Sequence, residues 1–151
     1  MAPAVTVRAG RAEDAAALVA LLAQLFAIEA DFTIDPVVQA RGLALLRARP
    51  DAVILVAECA GAVVGMCTVQ LTASTARGGL SAGLEDVVVD RAWRGRGIGS
   101  ALLAAAEDWA RGRGAVRLAL LADETNLPAL DFYGRLGFTR TRLVWLAKAL
   151  D

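Results

Sequence analysis

Arg94-Gly-Arg-Gly-Ile-Gly99 is the stretch whose residue types and spacing point most directly to chemistry. A helix must begin near Ile98, because Leu102, Ala105, Ala106 and Trp109 follow at helical spacing. No Ser, Thr, Asp or Asn stands before it to cap the free N–H groups of its first turn. Three glycines clear side chains from the approach, two arginines flank them, and the helix dipole presents its positive end. That combination suits an anion, most naturally a pyrophosphate. A Walker loop is excluded, since no Gly-Lys-Ser/Thr closes the run. Gly95-x-Gly97-x-x-Ser100 comes near a dinucleotide fingerprint. However, Asp90 to Arg94 separate it from the strand before it, and too little chain follows to build a dinucleotide domain.

The remaining reactive side chains are few. The chain has no histidine, which excludes His-dependent triads and His metal sites. Cys59 and Cys67 fall on opposite arms of an expected hairpin at unequal distances from its turn, and read as buried free thiols. Sixteen basic and sixteen acidic residues cancel, so the chain has no general attraction to nucleic acid. Charge is uneven locally: Arg91, Arg94 and Arg96 crowd one turn, and Glu29, Asp31 and Asp35 crowd another. The apolar fraction of 57% is high, yet the helical stretch Ala15 to Ile28 is too short to cross a bilayer and carries Gln24. With no signal-peptide pattern at the start, a cytoplasmic location and no membrane partner are expected. The surplus apolar surface fits a homodimer interface better.

The elements that must position these groups follow from periodicity. At 151 residues, one domain spanning 1–151 is expected. Val5 to Arg8 reads as a strand ended by Gly10. Leu18, Leu21, Leu22, Leu25 and Ile28 give the stripe of a first helix. Pro36 opens a second helix that runs to Arg49-Pro50. Val53–Ala57 and Val63–Leu71 form a hairpin around Ala60-Gly-Ala62, and Ser74 to Gly79 is a loop. Leu84 to Val89 is a central strand whose Val87-Val-Val89 run fits burial on both faces. The helix from Ile98 stops at Gly112 and Gly114. Val116–Leu121 is a strand, Asn126–Leu136 a short helix, and Phe138 to Leu150 a last strand or broken pair. The order βααβββαβαβ gives an α/β (α+β) class, with a mixed sheet between helices.

The spacing of Arg94, Gly97 and Gly99 between strand and helix resembles the acyl-CoA loop of the GNAT superfamily of N-acetyltransferases, Gln/Arg-x-x-Gly-x-Gly/Ala. A second block, Asn126-x-x-Ala129-x-x-Phe132-Tyr133 followed by Leu136-Gly-Phe138, resembles the Asn…Ala…Phe-Tyr…Gly-Phe segment of the same superfamily. The resemblance is clearest from Leu84 to Phe138. It implies a fold in which the strand before the loop splays from the next one and leaves a V-shaped cleft for pantetheine. Val87, Val88 and Val89 would line that cleft, with main-chain groups of Val87 and Val89 meeting pantetheine. Arg94, Gly95, Arg96, Gly97, Ile98, Gly99 and Ser100 would hold the pyrophosphate of acetyl-CoA.

The same resemblance implies direct attack of an amine on the thioester, with no metal. The amine must lose a proton, the oxyanion needs a donor, and the leaving thiolate must be stabilised. Tyr133, the one tyrosine of the chain, sits where the family often keeps the donor to the thiolate. Asn126 matches a position that often bonds pantetheine or the adjoining backbone, and it also reads as a helix N-cap. Glu85 is the first candidate for the base, with Asp86 or ordered water as the others. Strand alternation sends Glu85 and Asp86 to opposite faces. The acceptor would lie between the Glu29–Asp35 and Ser74–Gly79 loops, and the three carboxylates of the first favour a small cationic amine, such as a polyamine or an amino sugar. Two other readings share the catalytic half: acetylation of a protein N-terminus or lysine, and a non-catalytic acyl-CoA-binding module.

Overall fold

The computed structural model describes residues 3–151, and it builds these periodic segments into one mixed sheet with helices on both faces. Strands β1 (Val5–Ala9), β2 (Ala52–Cys59), β3 (Ala62–Ser74), β4 (Gly79–Val89) and β5 (Ala115–Leu120) lie side by side in sequence order. The first four are antiparallel neighbours, whereas β5 joins β4 in parallel. A parallel join needs a crossover. Helix α3 (Ile98–Gly112) supplies it.

Alternation along the strands divides the core in two. Leu55, Ala57, Cys67, Val69, Ala82 and Leu84 face α3, where Ile98, Leu102, Leu103 and Ala106 are buried. Ile54, Val56, Met66 and Val88 face the other way, against Leu18, Leu21 and Leu22 of α1 (Ala15–Phe26) and Leu43 of α2 (Pro36–Ala48). Gly65 lets α3 lie close on β3, since a Cβ there would stand 3.1 Å from Leu102 and 3.2 Å from the Val88 carbonyl. Among the described residues no helix is long and apolar enough to cross a membrane.

Several sequence expectations are met with small shifts. The hairpin turns on Ala60 and Gly61, both with positive φ. Cys59 lies opposite Ala62 and Cys67 opposite Leu55, so the thiols do not face each other, and both are buried and free. The first helix starts with a single 3₁₀ turn, Ala12–Asp14, and α1 ends at Phe26. Ile28 is therefore outside the apolar stripe and 48% exposed. Asp14, nearly buried, accepts from Arg8 at 2.8 and 3.0 Å, and Arg8 also bonds Glu58 at 2.9 Å, tying the turn to β1 and β2.

The expected last strand is corrected. After α4 (Leu127–Arg135), Phe138 is half-buried against Tyr133, but residues 139–151 join no strand and are exposed throughout. Strand propensity in Leu143-Val-Trp-Leu146 does not suffice, because a strand exists only where a neighbour takes its hydrogen bonds.

Candidate active site

The sheet opens where β4 and β5 part. Their pairing runs from Leu80 with Ala115 to Leu84 with Leu120 and stops there. Beyond it, β4 continues through Glu85 to Val89, bonded to β3 on one side only. The main chain of Glu85–Val89 is thus open on the side from which β5 has diverged. Val88 buries its side chain in the α1 core, whereas Val87 and Val89 pack against the α3 core.

At the far end of this open edge the chain turns into α3. Asp90 accepts from the Ala92 N–H and from the Gln24 amide of α1, and the Gln24 carbonyl accepts from the Arg91 N–H. Gln24 therefore clamps the loop to the first helix, a contact between residues 66 and 67 positions apart that no local pattern in the sequence reveals. Gly95 and Gly97 both take left-handed φ, +74° and +79°. Gly97 occupies the N-cap of α3 with no side chain capping the helix, which leaves the first-turn N–H groups of Ile98, Gly99 and Ser100 facing an open loop. A Cβ on Gly95 or Gly97 would meet nothing within 4 Å. Gly99 is bare for a different reason: a Cβ there would stand 3.1 Å from the Phe132 ring, so its absence seats α4 on α3. Arg94 bonds the Val89 carbonyl at 3.0 Å, and Arg96 folds back over the Trp93 ring at 4.8 Å.

At the near end lies a bulge that alternation alone does not foresee. Met66 pairs with Val88 but Thr68 pairs with Glu85, so two residues of β4 stand against one of β3. Asp86 absorbs the extra length with a φ of +53°, a left-handed conformation that Asp tolerates better than most residues. Glu85 and Asp86 consequently do not part to opposite faces. Both line one cavity of about 670 Å³ on the α1–α2 side. Its walls are apolar on the helices, with Leu22, Phe26, Val38 and Leu43, and acidic elsewhere, with Asp31, Asp35, Glu85 and Asp86. Among the described residues Arg49 is the one cation on the wall, and it is spent on Asp51 at 2.9 Å through two of its nitrogens.

The carboxylates differ in availability. Asp35 caps α2, accepting from the N–H groups of Val37 and Val38. Burial and then the charge of Glu85 push the Asp86 carboxyl up to about 6, against a weaker opposing pull from the Thr68 hydroxyl 3.4 Å away. Burial also raises Glu29, with Asp86, Asp123, Asp31 and Glu85 adding repulsion. Tyr133 packs between Phe132 and Phe138 at ring distances of 5.3 and 5.8 Å. Burial, then the charges of Glu29 and Cys67, lift its phenol to about 12. Cys67 is itself held up to about 12 by burial and Asp86. Glu29 and Cys67 thus act on Tyr133, and Asp86 acts on Glu29 and Cys67, through charge. Asn126 serves as the N-cap of α4, its side chain accepting from Ala129 at 3.2 Å.

Comparison with known proteins accords with this geometry. Residues 21–138 match the model of the Acetyltransferase (GNAT) family. Glucosamine 6-phosphate N-acetyltransferase of Trypanosoma brucei brucei is 38% identical over 79 residues, 52% of this chain and 52% of that protein. Streptothricin acetyltransferase of Streptomyces lavendulae is 46% identical over 55 residues, 36% of this chain and 29% of that protein. The chain thus spans about half, or less, of the length of the curated relatives it matches. A crystal structure described as a transcriptional regulator from Bacillus halodurans C-125 superposes with a TM-score of 0.87 at 29% identity, covering 97% of this chain and all of that one. That coverage leaves about five residues of this chain outside, so it takes in most of residues 139–151.

Proposed function

We propose, because this chain belongs to the acetyltransferase (GNAT) family, that it moves an acetyl group from acetyl-CoA to the primary amine of a small cationic molecule. The observation that carries this reading is the open β4 edge, Glu85 to Val89, which joins an uncapped helix N-terminus at one end to a carboxylate-lined cavity at the other. The pyrophosphate of the donor meets the N–H groups at Ile98 to Ser100, with Arg94 and Arg96 beside them. Pantetheine lies along the open edge at Val87 and Val89, and the amine enters from the cavity.

In this mechanism the amine is delivered as an ammonium ion and must lose a proton before attack. Asp86 takes it. Its pKa of about 6 keeps it ionised at neutral pH, and its strained bulge aims it into the cavity, with Glu85 beside it as the second carboxylate. The free amine then attacks the thioester carbonyl, and a main-chain N–H of the open edge supports the oxyanion. As the C–S bond breaks, the Tyr133 hydroxyl donates to the sulfur. A phenol held near 12 keeps its proton across the neutral range, so the donor is always loaded. The Tyr133 proton passes to the sulfur to give the CoA thiol, the second proton from nitrogen returns to the phenolate oxygen, and Asp86 releases the first proton to solvent.

The cavity also sorts acceptors. A phosphorylated amino sugar, the substrate named for the trypanosomal relative, needs a free cation for its phosphate. Here the one arginine on the wall is already paired and the other charged groups are carboxylates. The four wall carboxylates Asp31, Asp35, Glu85 and Asp86 favour a cationic acceptor instead. The test is release of CoA over a panel of amines that pairs each cationic acceptor with a phosphorylated or carboxylated counterpart. Turnover confined to the anionic members would overturn the acceptor assignment. Acetylation of peptides alone would favour a protein substrate, and tight CoA binding without turnover a sensing module.

A further inference from the structure

Helix α2 carries an apolar face that the rest of the protein leaves uncovered. It buries Leu43 alone. Val38, Gly42 and Leu45 recur at the spacing of one helix face, and all three line the cavity of about 670 Å³. Val38 is 45% exposed there and Leu45 66%. Opposite them Phe32, packed against Phe26 with ring centres 5.1 Å apart, is 43% exposed on the same cavity. The volume falls in the range of roughly 300–1,000 Å³ that encloses a whole organic ligand.

The polar groups that α2 and its ends bring to this wall are already engaged. Asp35 caps the helix. Gln39 donates to the Thr33 carbonyl at 3.2 Å and accepts from the Asp35 N–H at 2.7 Å. Arg49 adds a bond to the Gln70 side-chain oxygen, at 3.2 Å, to its pair with Asp51. A hydroxyl laid against α2 would lose its water and gain no partner, whereas an alkyl or aryl group gains by leaving water. Gly42 adds an independent sign. Glycine inside a helix is less stable than alanine, and packing does not require it here, since a Cβ would meet nothing within 4 Å. Its bareness widens the cavity midway along α2 and lets a ligand lie against the helix backbone.

We infer, resting on the acetyl-transfer reading above, that the acceptor is a primary amine carried on an alkyl or aryl body, and that Gly42 sets how large that body can be. The ammonium goes to Glu85 and Asp86 at the β4 bulge, where the cavity meets the open edge. The body lies between Phe26, Phe32, Val38 and Leu45, over Gly42. Charge thus selects one end of the acceptor and apolar surface the other, which disfavours both a hydroxyl-rich sugar and a second ammonium on the helical wall.

The test is CoA release from acetyl-CoA with linear amines from propylamine to heptylamine, in which the ammonium is constant and only the body grows. kcat/KM should climb with each methylene, by up to about fourfold. Hexylamine should exceed 5-aminopentanol and cadaverine, of similar length with a polar far end, by about tenfold or more. In Gly42→Leu the ratio of heptylamine to propylamine should fall about tenfold or more, as room for two or three methylenes is lost. Melting and CoA affinity verify that the variant is folded. Gly42→Ala, better in a helix than glycine, should lower the ratio by a smaller step and keeps the test in force if the leucine variant does not fold. A flat alkyl series, 5-aminopentanol or cadaverine equal to hexylamine, a ratio unmoved by both variants, or turnover confined to peptides would each overturn the inference. Calorimetry of the same amines on the CoA complex reads the cavity without turnover. An inactive protein that still binds heptylamine about tenfold or more tighter than propylamine, from about fourfold per methylene, would lose the acetyl-transfer reading and keep the assignment of the amine site.

Discussion

Replacing Asp86 by Asn removes one negative charge from the bulge and keeps its shape, since Asn is as tolerant as Asp of a φ near +53°. In the folded chain, burial and Glu85 lift this carboxyl from 3.8 to about 6. Unfolding removes both influences and returns it to the ordinary range. Between the two values the folded state holds a proton that the unfolded state has released. Stability therefore falls as pH rises from about 4 to about 6, and the full penalty stands above that. A rise of about two units at about 1.36 kcal/mol each sets the penalty near 3 kcal/mol. Loss of the Thr68 contact to a carboxylate subtracts part of it, so Asp86→Asn should be about 1–3 kcal/mol more stable than the parent at pH 8. The advantage should vanish near pH 4. If Asp86 also receives the ammonium proton, the same change should cut kcat/KM about a hundred- to ten-thousandfold and abolish the acid limb near pH 6. Urea unfolding at pH 4, 6 and 8, with CoA-release kinetics across the same range, reads both effects. A variant no more stable than the parent at pH 8 would refute the buried-charge reasoning. Turnover within about threefold of the parent, far from the hundredfold floor, would pass the base role to Glu85 or water.

Tyr133→Phe keeps the packing against Phe132 and Phe138 and deletes the donor, so single-turnover kcat should fall about a hundredfold or more while CoA affinity holds. With the phenol near 12, no basic limb from this group should enter the parent profile below about pH 11; a limb near pH 9 that vanishes in Tyr133→Phe would contradict the burial assigned to it. Gly97→Val forces a β-branched residue into a φ of +79° and fills the open space of the loop; calorimetry on folded protein should show CoA binding weakened at least tenfold, and an unchanged affinity would remove this loop from the donor site. Because Asp35 is committed to capping α2, the acceptor's charge preference is better probed with Glu29→Gln/Asp31→Asn, which should raise acceptor KM and flatten its salt dependence with CoA binding unchanged.

Much of this protein was legible in the linear chain, because the signals concerned are local. An uncapped helix start preceded by Gly95 and Gly97 needs only neighbouring residues to be recognised, and the structure places both glycines at the positive φ that their loop requires. Pro36, the Ala60-Gly61 turn and the Gly114 stop likewise act within a few residues, and the elements they bound appear within a few positions of expectation. Gly99 was read for its bareness, but only the fold shows that Phe132, 33 positions on, is what fills the space. The partnership of Glu85 and Asp86 was inaccessible for the same reason. Alternation assumes a regular ladder, and the bulge that turns both carboxylates into one cavity exists only in the register between β3 and β4. Gln24 looked like an interruption in an apolar helix, and becomes a clamp on Asp90 and Arg91 once the helix lies on the sheet. Leu143–Leu146 had the composition of a strand, yet a strand is a relation between two backbones, and no strand of its own chain is beside it. Sequence alone thus determined which segments bend, cap and bury. Register, divergence of β4 from β5, and the pairing of distant side chains were decided by tertiary packing, because each depends on which residues meet across the sheet.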